Sequence, residues 1–170
     1  LLSTGEKLIS ADGCDNTVIF VGTSAIVKYD ITTKTPTIYR NSTLPLANIN
    51  YNSVSICDDC ETAYIGADNG KAIEFDIASG KAKTYYVNNG VGIVHHVEAV
   101  SCCSFLAAVE DDLYHVCQGT VTKSANILGT VTALNSVDGT IVYAATIFHG
   151  INMLWMSADG GKTFASISES

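Results

Sequence analysis

An internal repeat is the feature of this sequence that most limits its fold. The segments TVIFVGTSAIVKYDITTKTPTIY (17–39) and TAYIGADNGKAIEFDIASGKAKTYY (62–86) have the same order of parts. Each has a β-rich run with a glycine, an alternating run that ends in aromatic-Asp-Ile, a polar turn and a last strand that reaches a tyrosine. Such self-similarity at a period of roughly 20–50 residues indicates an array of one supersecondary unit.

The second half of the chain keeps this order in a more divergent form. In SFLAAVEDDLYHV (104–116), Tyr114 stands about where Phe75 stands in the second unit. In TIVYAATIFHGINMLWMSADGGKTFASIS (140–168), Trp155 takes the same role. A further short β-rich segment precedes each unit, at 8–10, 54–56, 100–102 and 131–133.

Four short strands per unit, with Gly or Asp turns between them, predict β-propeller blades. The predicted fold is all-β, a single or partial β-propeller with blades at about 7–42, 52–89, 97–128 and 130–168. Helical periodicity is almost absent, and segment 94–106 is predicted to be strand and loop because it is rich in Val, Cys and Ser. A parallel β-helix would need a shorter and stricter repeat.

The number of blades leaves two arrangements open. Four is the smallest number of blades that closes a propeller. Either four blades close alone, or the chain is half of an eight-bladed ring that a second copy or another segment completes. An open arc would expose an apolar face at each end, so we expect an unclosed fragment to associate. The chain begins at Leu1 and is interpreted as a processed or excised piece.

Two known repeat types resemble parts of the chain. Segment 44–86 resembles the two-component-regulator type of propeller repeat, and segment 17–39 matches it less completely. The last unit is similar to the Asp-box repeats of sortilin-like and sialidase-like propellers. The resemblance implies blades and says almost nothing about activity. Tyr64 stands where a tryptophan is usual, and Phe164 replaces the box tryptophan.

The stretch SADGGKTF (157–164) carries the Asp-box resemblance. Its Asp159 carboxylate is expected to accept backbone N–H groups of the turn, while Phe164 packs under the hairpin. Sialidases are expected to bind their substrate with three arginines, and this chain has only Arg40. The stretch is therefore predicted to be a structural turn. Its predicted structural residues are Ser157, Asp159, Gly161, Thr163 and Phe164.

Charge and hydrophobicity exclude several classes of partner. The net charge is −8 and there is no basic stripe, which disfavours nucleic acid. No apolar run approaches the roughly 18–20 residues of a membrane span. A composition of 47% hydrophobic and 15% charged residues is that of a folded chain, not a disordered one.

Six cysteines and one sequon favour an oxidising compartment. Disulfides, free thiols and a metal site all stay open for the cysteines, although a thioredoxin-like or zinc arrangement lacks its usual context. Repeat alignment makes a Cys57–Cys103 bridge between adjacent blades conceivable, and it places Cys14 and Cys60 in comparable turns. Asn41 is the candidate glycosylation site. The disulfide candidates are Cys14, Cys57, Cys60, Cys102, Cys103 and Cys117.

Few other residues suggest chemistry. His95 and His96 lie in the connection between the second and third blades, but neighbours in a strand point to opposite sides. The acidic run 110–112 is a candidate Ca²⁺ site through its oxygen ligands, although acidic turn residues more commonly face water. We predict no cofactor, metal or catalytic residue, because nucleophile, zinc-protease and phosphate-loop motifs are absent. The candidate ligand-binding residues are Asp58, Asp59, His95 and His96.

The predicted function is that of a non-catalytic, secreted or surface propeller that binds or assembles other protein chains, its own copies included. A glycan-binding propeller is the first alternative, although the strand aromatics Tyr29, Phe75, Tyr114 and Trp155 suit core packing better. A propeller hydrolase or lyase, with the pair His95/His96 or the acidic loops as catalytic groups, is the second alternative. A sensor domain of the regulator type is the third.

Overall fold

Four antiparallel sheets build the molecule, each made of four consecutive strands in sequence order. The structure is a computed structural model that describes residues 7–40 and 49–167. The candidate glycosylation site Asn41 lies outside these residues. The sheets fit a four-blade β-propeller, as the repeats predicted, and we call them blades 1 to 4 in chain order.

The first strand of each blade lies innermost and the fourth outermost. The strands of blade 1 are β1 (Leu8–Cys14), β2 (Thr17–Gly22), β3 (Ala25–Asp30) and β4 (Thr35–Arg40). Those of blade 2 are β5 (Tyr51–Ile56), β6 (Thr62–Ala67), β7 (Lys71–Asp76) and β8 (Ala82–Tyr86). Those of blade 3 are β9 (Val94–Ser101), β10 (Ser104–Val109), β11 (Asp112–Cys117) and β12 (Thr120–Lys123). Those of blade 4 are β13 (Thr130–Ser136), β14 (Val142–Phe148), β15 (Ile151–Ser157) and β16 (Ala165–Ser166).

Helix is limited to one 3₁₀ turn, Asn88–Gly90, in the part of the chain that the structure describes. The segment 94–106 forms β9 and the start of β10, as predicted from its composition. No helix within the described ranges has the length and hydrophobicity needed to cross a membrane.

Tight hairpins set the register of the blades. The turns Asn69-Gly70, Gln118-Gly119 and His149-Gly150 have positive φ at both residues. This conformation is that of type I′ turns, whose twist matches that of the flanking strands. His149 therefore occupies a turn position.

The second strand of each inner blade supplies both of its faces to the core. In β6, Ile65 packs towards blade 1 and Tyr64 packs towards blade 3. In β10, Phe105 packs towards blade 2 and Leu106 towards blade 4. Because strand residues alternate between faces, each inner blade is hydrophobic on both sides. The core therefore consists of three layers, one between each pair of consecutive blades.

Two disulfides join consecutive blades near the inner strands. Cys14 of blade 1 is bonded to Cys60 of blade 2, with Cα atoms 5.5 Å apart. Cys57 of blade 2 is bonded to Cys102 of blade 3, with Cα atoms 5.4 Å apart. The suggested partner Cys103 is instead an exposed free thiol, and Cys117 is free as well. Cys102 directly follows β9, which runs beside β5, and this brings it within bonding distance of Cys57.

The turn after β15 contributes to the junction of blades 3 and 4. Asp159 accepts hydrogen bonds from the backbone N–H groups of Lys162 and Thr163, at 3.0 and 2.9 Å. The same turn holds the connection from blade 3, because Ser124 donates its hydroxyl to the carbonyl of Gly161 at 2.6 Å. No disulfide links the described parts of blades 3 and 4, and the Ser124 to Gly161 hydrogen bond is one of the contacts that join them.

Candidate functional site

A polar cleft opens at one end of the inner strands. Its volume is about 380 Å³, and residues of all four blades line it. None of its described lining residues is aromatic or basic. The acidic and amide groups among them are Asp12, Asp58, Glu98, Asn135 and Asp138.

A chain of side-chain-to-backbone hydrogen bonds connects the inner strands across this cleft. Asp12 of β1 accepts the N–H of Ile56 in β5 at 2.7 Å. Ser55 of β5 accepts the N–H of Ala99 in β9 at 3.0 Å. Each acceptor thus binds the inner strand of the following blade.

The third bond of this series joins blades 3 and 4. Glu98 of β9 accepts the N–H of Ser136 in β13 at 2.7 Å. In two of the three bonds the donor directly follows an acceptor residue of its own strand, and the third donor, Ser136, directly follows Asn135. Ile56 follows Ser55, and Ala99 follows Glu98. We call this regular series the inner-strand relay.

Burial is the main influence on Glu98, and it raises the pKa of its carboxyl group above the ordinary value. The N–H of Ser136 and the hydroxyl of Ser55 act in the opposite direction, since they stabilise the carboxylate. Asp12 adds a like charge that raises the pKa further. Ionisation of Glu98 in the cleft therefore costs free energy, and one of its carboxylate oxygens already accepts a hydrogen bond from blade 4.

The two end blades each present a face that no other blade covers among the described residues. The face of blade 4 that points away from blade 3 carries Tyr143 and Ile147, which are 42% and 43% exposed. Leu154, opposite Ala145 in the sheet, is 53% exposed. We call this the open face of blade 4. Its residues are Tyr143, Ala145, Ile147, Leu154 and Met156.

The corresponding open face of blade 1 points away from blade 2. The side chains of Val18, Phe20 and Tyr29 are partly exposed there. Ile38 of the outer strand is 37% exposed and pairs with Val27, which is buried at the centre of the face. Both ends of the arc are therefore apolar.

The four residues predicted to bind a ligand do not come together in the structure. Asp58 lines the cleft, whereas the Asp59 carboxylate accepts the N–H groups of Glu61 and Thr62 in the β5–β6 turn. His95 and His96 lie near the other end of β9, at least two residues or about 7 Å of extended strand before Glu98. Their ligand-binding roles remain predictions.

Among the described residues, thiols and carboxylates come together in two places, but neither offers a free ligand set. The groups are Cys14, Asp15 and Cys60, and Cys57, Asp59 and Cys102. In each group the two thiols form a disulfide, which leaves one carboxylate. In the acidic run 110–112, Asp112 forms an ion pair with Lys123 at 2.5 Å and Asp111 accepts the hydroxyl of Thr130.

Tyr29 was expected to pack in the core and is instead partly exposed on the open face of blade 1. The other residues of the inner-strand relay and the open faces were not singled out by the sequence. Asp12, Glu98 and Asn135 carry no motif, and they become equivalent only when the inner strands are superimposed by their pairing. Asp12 lies opposite Ile19, Ser55 opposite Tyr64, and Asn135 opposite Tyr143. A strand-by-strand alignment of the repeats is the sequence signal that could have identified these equivalent positions.

Comparison with known proteins supports the fold. Neither a protein-family description nor a curated protein matches the sequence. The chain is similar to the crystal structure of RRP9 WD40 repeats, with a TM-score of 0.79 and 10% identity over 98% of this chain. It is also similar to the structure of U3-55K, with a TM-score of 0.77 and 9% identity over 98% of the chain. It spans 52% and 53% of those chains, so it has about half their length.

These similarities define the class of fold as a propeller built from repeats. The two solved structures are WD40 propellers, and the four blades follow them over almost the whole of this chain. The propeller-type repeat predicted from the sequence is thereby confirmed. The finer resemblance to regulator-type or Asp-box repeats remains a prediction.

Proposed function

We propose that this chain is a non-catalytic propeller module that binds and assembles proteins through the open faces of its end blades. The observation that carries the proposal is the exposure of Tyr143, Ile147 and Leu154 in the middle strands of a blade. Monomeric proteins rarely expose contiguous apolar patches larger than a few hundred Å², and larger patches mark interaction sites. Solved WD40 structures share the fold, which is consistent with such a module.

The cleft supports binding better than catalysis. Its carboxylates Asp12 and Glu98 already accept backbone N–H groups from neighbouring blades. A general acid or base needs a carboxyl group that can reach a substrate proton. The described lining residues also include no aromatic ring for stacking on a sugar, so the cleft does not favour the glycan alternative.

The two disulfides support a secreted or surface location. Disulfides persist in oxidising compartments and are rare in the cytosol. Cys14–Cys60 and Cys57–Cys102 each link two blades, so the bonds belong to the fold. The acidic net charge of −8 supports protein partners over nucleic acid.

Affinity capture with matched variants tests this function. Three immobilised forms are compared in an extract of the cells that make the chain: wild type, Phe20→Glu/Leu154→Glu and Ile151→Glu. Ile151 is 66% exposed at the tip of the β14–β15 hairpin, so its variant controls for an added surface charge. We expect wild type and the control to retain the same proteins and the double variant to lose them. Equal retention by all three forms would contradict the proposal.

A further inference from the structure

Within the described residues, the inner-strand relay has one unused position at each end, and these positions are complementary. At the end of blade 4, Asn135 occupies the place of Asp12, Ser55 and Glu98, and its side chain is exposed. Its amide oxygen has the position to accept an N–H from a following inner strand. At the other end, the exposed Gly13 follows Asp12 and occupies the donor place of Ile56.

Among the described residues, the Gly13 N–H has its acceptor in its own strand and not on a preceding blade. Its N–H donates to Asp12 Oδ1 of its own strand at 2.8 Å. In the relay, the equivalent N–H groups of Ile56 and Ala99 donate to the blade before them. Among the residues that the structure describes, the Gly13 N–H thus has no acceptor on another blade.

The apolar faces follow the same order as the relay. Each relay residue lies opposite a residue of the second strand that packs against the following blade. In blades 2 and 3 these residues, Tyr64 and Leu106, are buried. The equivalent residue of blade 4 is Tyr143, which is exposed. The open face of blade 4 is therefore built like a blade junction that lacks its second half.

We infer that a second copy of this chain supplies that half, with blade 4 of each copy packing against blade 1 of the other in an eight-bladed ring. This inference rests on the proposed function and names its partner. The new junction continues the three existing ones, with Asn135 accepting the Gly13 N–H of the other copy.

Such a ring uses one kind of junction twice. The two copies are related by an axis along the channel, so each contributes one blade 4 and one blade 1. In the closed ring, each open face packs against the other copy, and Asn135 and Gly13 form the missing hydrogen bond at each new junction. A contact between two copies of blade 4 would leave Gly13 and Phe20 uncovered.

Mixing two blocked variants of the purified chain tests the inference by light scattering under non-reducing conditions. Wild type is expected at twice the 17.9 kDa mass of one chain. Leu154→Glu blocks blade 4 and Phe20→Glu blocks blade 1, so each alone is expected at 17.9 kDa. An equimolar mixture is expected to form a dimer again, because one unblocked blade 4 meets one unblocked blade 1.

Controls separate this outcome from misfolding and from other contacts. Ile151→Glu is expected to dimerise like wild type, and Ile38→Glu replaces Phe20→Glu if the latter does not fold. Asn135→Ala is expected to weaken association about tenfold per junction, the effect of one lost hydrogen bond. Dimers of Phe20→Glu alone would indicate a blade 4 to blade 4 contact and overturn the inference.

Two further results would also overturn it. One is a wild-type mass that grows beyond two chains. The other is a wild-type monomer at every concentration. If that wild-type monomer captures other proteins and the Phe20→Glu/Leu154→Glu form does not, the second copy is wrong and the proposed function stands. If it captures none, both are wrong.

Discussion

Tyr64 and Tyr143 occupy the same place in two blades and have opposite environments. Tyr64 is 1% exposed and stacks on Phe105 of the next blade, with ring centroids 4.3 Å apart. Tyr143 is 42% exposed on the open face of blade 4. Burial also raises the pKa of the Tyr64 hydroxyl far above its ordinary value. The repeat thus places a hydrophobic surface on every blade, and this surface is buried as core only where a following blade packs on it.

The largest expected difference is between two matched truncations. Tyr64→Ala removes a buried ring and is expected to lower the free energy of unfolding by about 3–5 kcal/mol, as for other large aromatic residues in cores. Tyr143→Ala in dilute protein is expected to change it by less than about 1 kcal/mol, because the ring is not packed on another blade. Urea unfolding of both variants measures the contrast. Equal losses would show that Tyr143 is already part of a buried junction.

Removal of the Cys57–Cys102 bond should have the next largest effect. The double variant Cys57→Ser/Cys102→Ser is expected to lose about 2–4 kcal/mol of stability, since the bond closes a loop of 45 residues. Cys103→Ser is the control, because Cys103 is an exposed free thiol. Denaturant unfolding compares the three proteins. A loss in the control instead of the double variant would contradict the disulfide pairing.

The Asp159 turn tests the junction that lacks a disulfide among the described residues. Asp159→Ala is expected to cost about 1–2 kcal/mol, because two backbone N–H groups lose their acceptor. Partial burial raises the pKa of Asp159, but hydrogen bonds from Thr163, Ser157 and Lys162 outweigh it and hold the pKa at about 2. Its stabilising effect is therefore present above about pH 4 and lost as the pH falls towards 2. Thermal unfolding at pH 7 and pH 2.5 should show a large and then a small difference from wild type.

The smallest effect is expected from the charge of Glu98. Its pKa is raised in the folded protein, so the folded state binds the proton more tightly than the unfolded state. Stability from this group is present below the ordinary glutamate pKa and falls as the pH rises through the folded value. Glu98→Gln keeps an oxygen for the Ser136 N–H and should remove this fall. The difference between variant and wild type, measured by urea unfolding from pH 4 to 8, should therefore favour the variant as the pH rises. A constant difference would contradict it.

Sequence reasoning reached the fold because local rules determine it. Alternating runs and Gly or Asp turns define the hairpins, and similar units repeated four times define the blades. The alignment of the aromatics was less accurate, since Trp155 lies opposite Ala144 whereas Phe75 lies opposite Ala63, two positions away in the repeat. Both positions face the preceding blade, so the error did not affect the predicted architecture.

The candidate site was harder to predict because it depends on register between blades. No local pattern distinguishes Cys102 from Cys103 as the partner of Cys57, and a change of one residue reverses the side of the chain. Likewise, Asp12 and Glu98 matter through the backbone groups that they reach in the next blade. His95 and His96 were conspicuous in sequence, but they lie away from the cleft.

Hydroxyl-radical footprinting of Tyr64 and Tyr143 in the purified wild-type chain, across a range of protein concentrations, tests the central claim most directly. Tyr64 should be protected throughout. We predict that Tyr143 reacts rapidly in dilute protein and becomes as protected as Tyr64 when the chain is concentrated, while Ile151 stays reactive. A Tyr143 that reacts equally at every concentration would contradict the claim that a second copy covers the open face of blade 4.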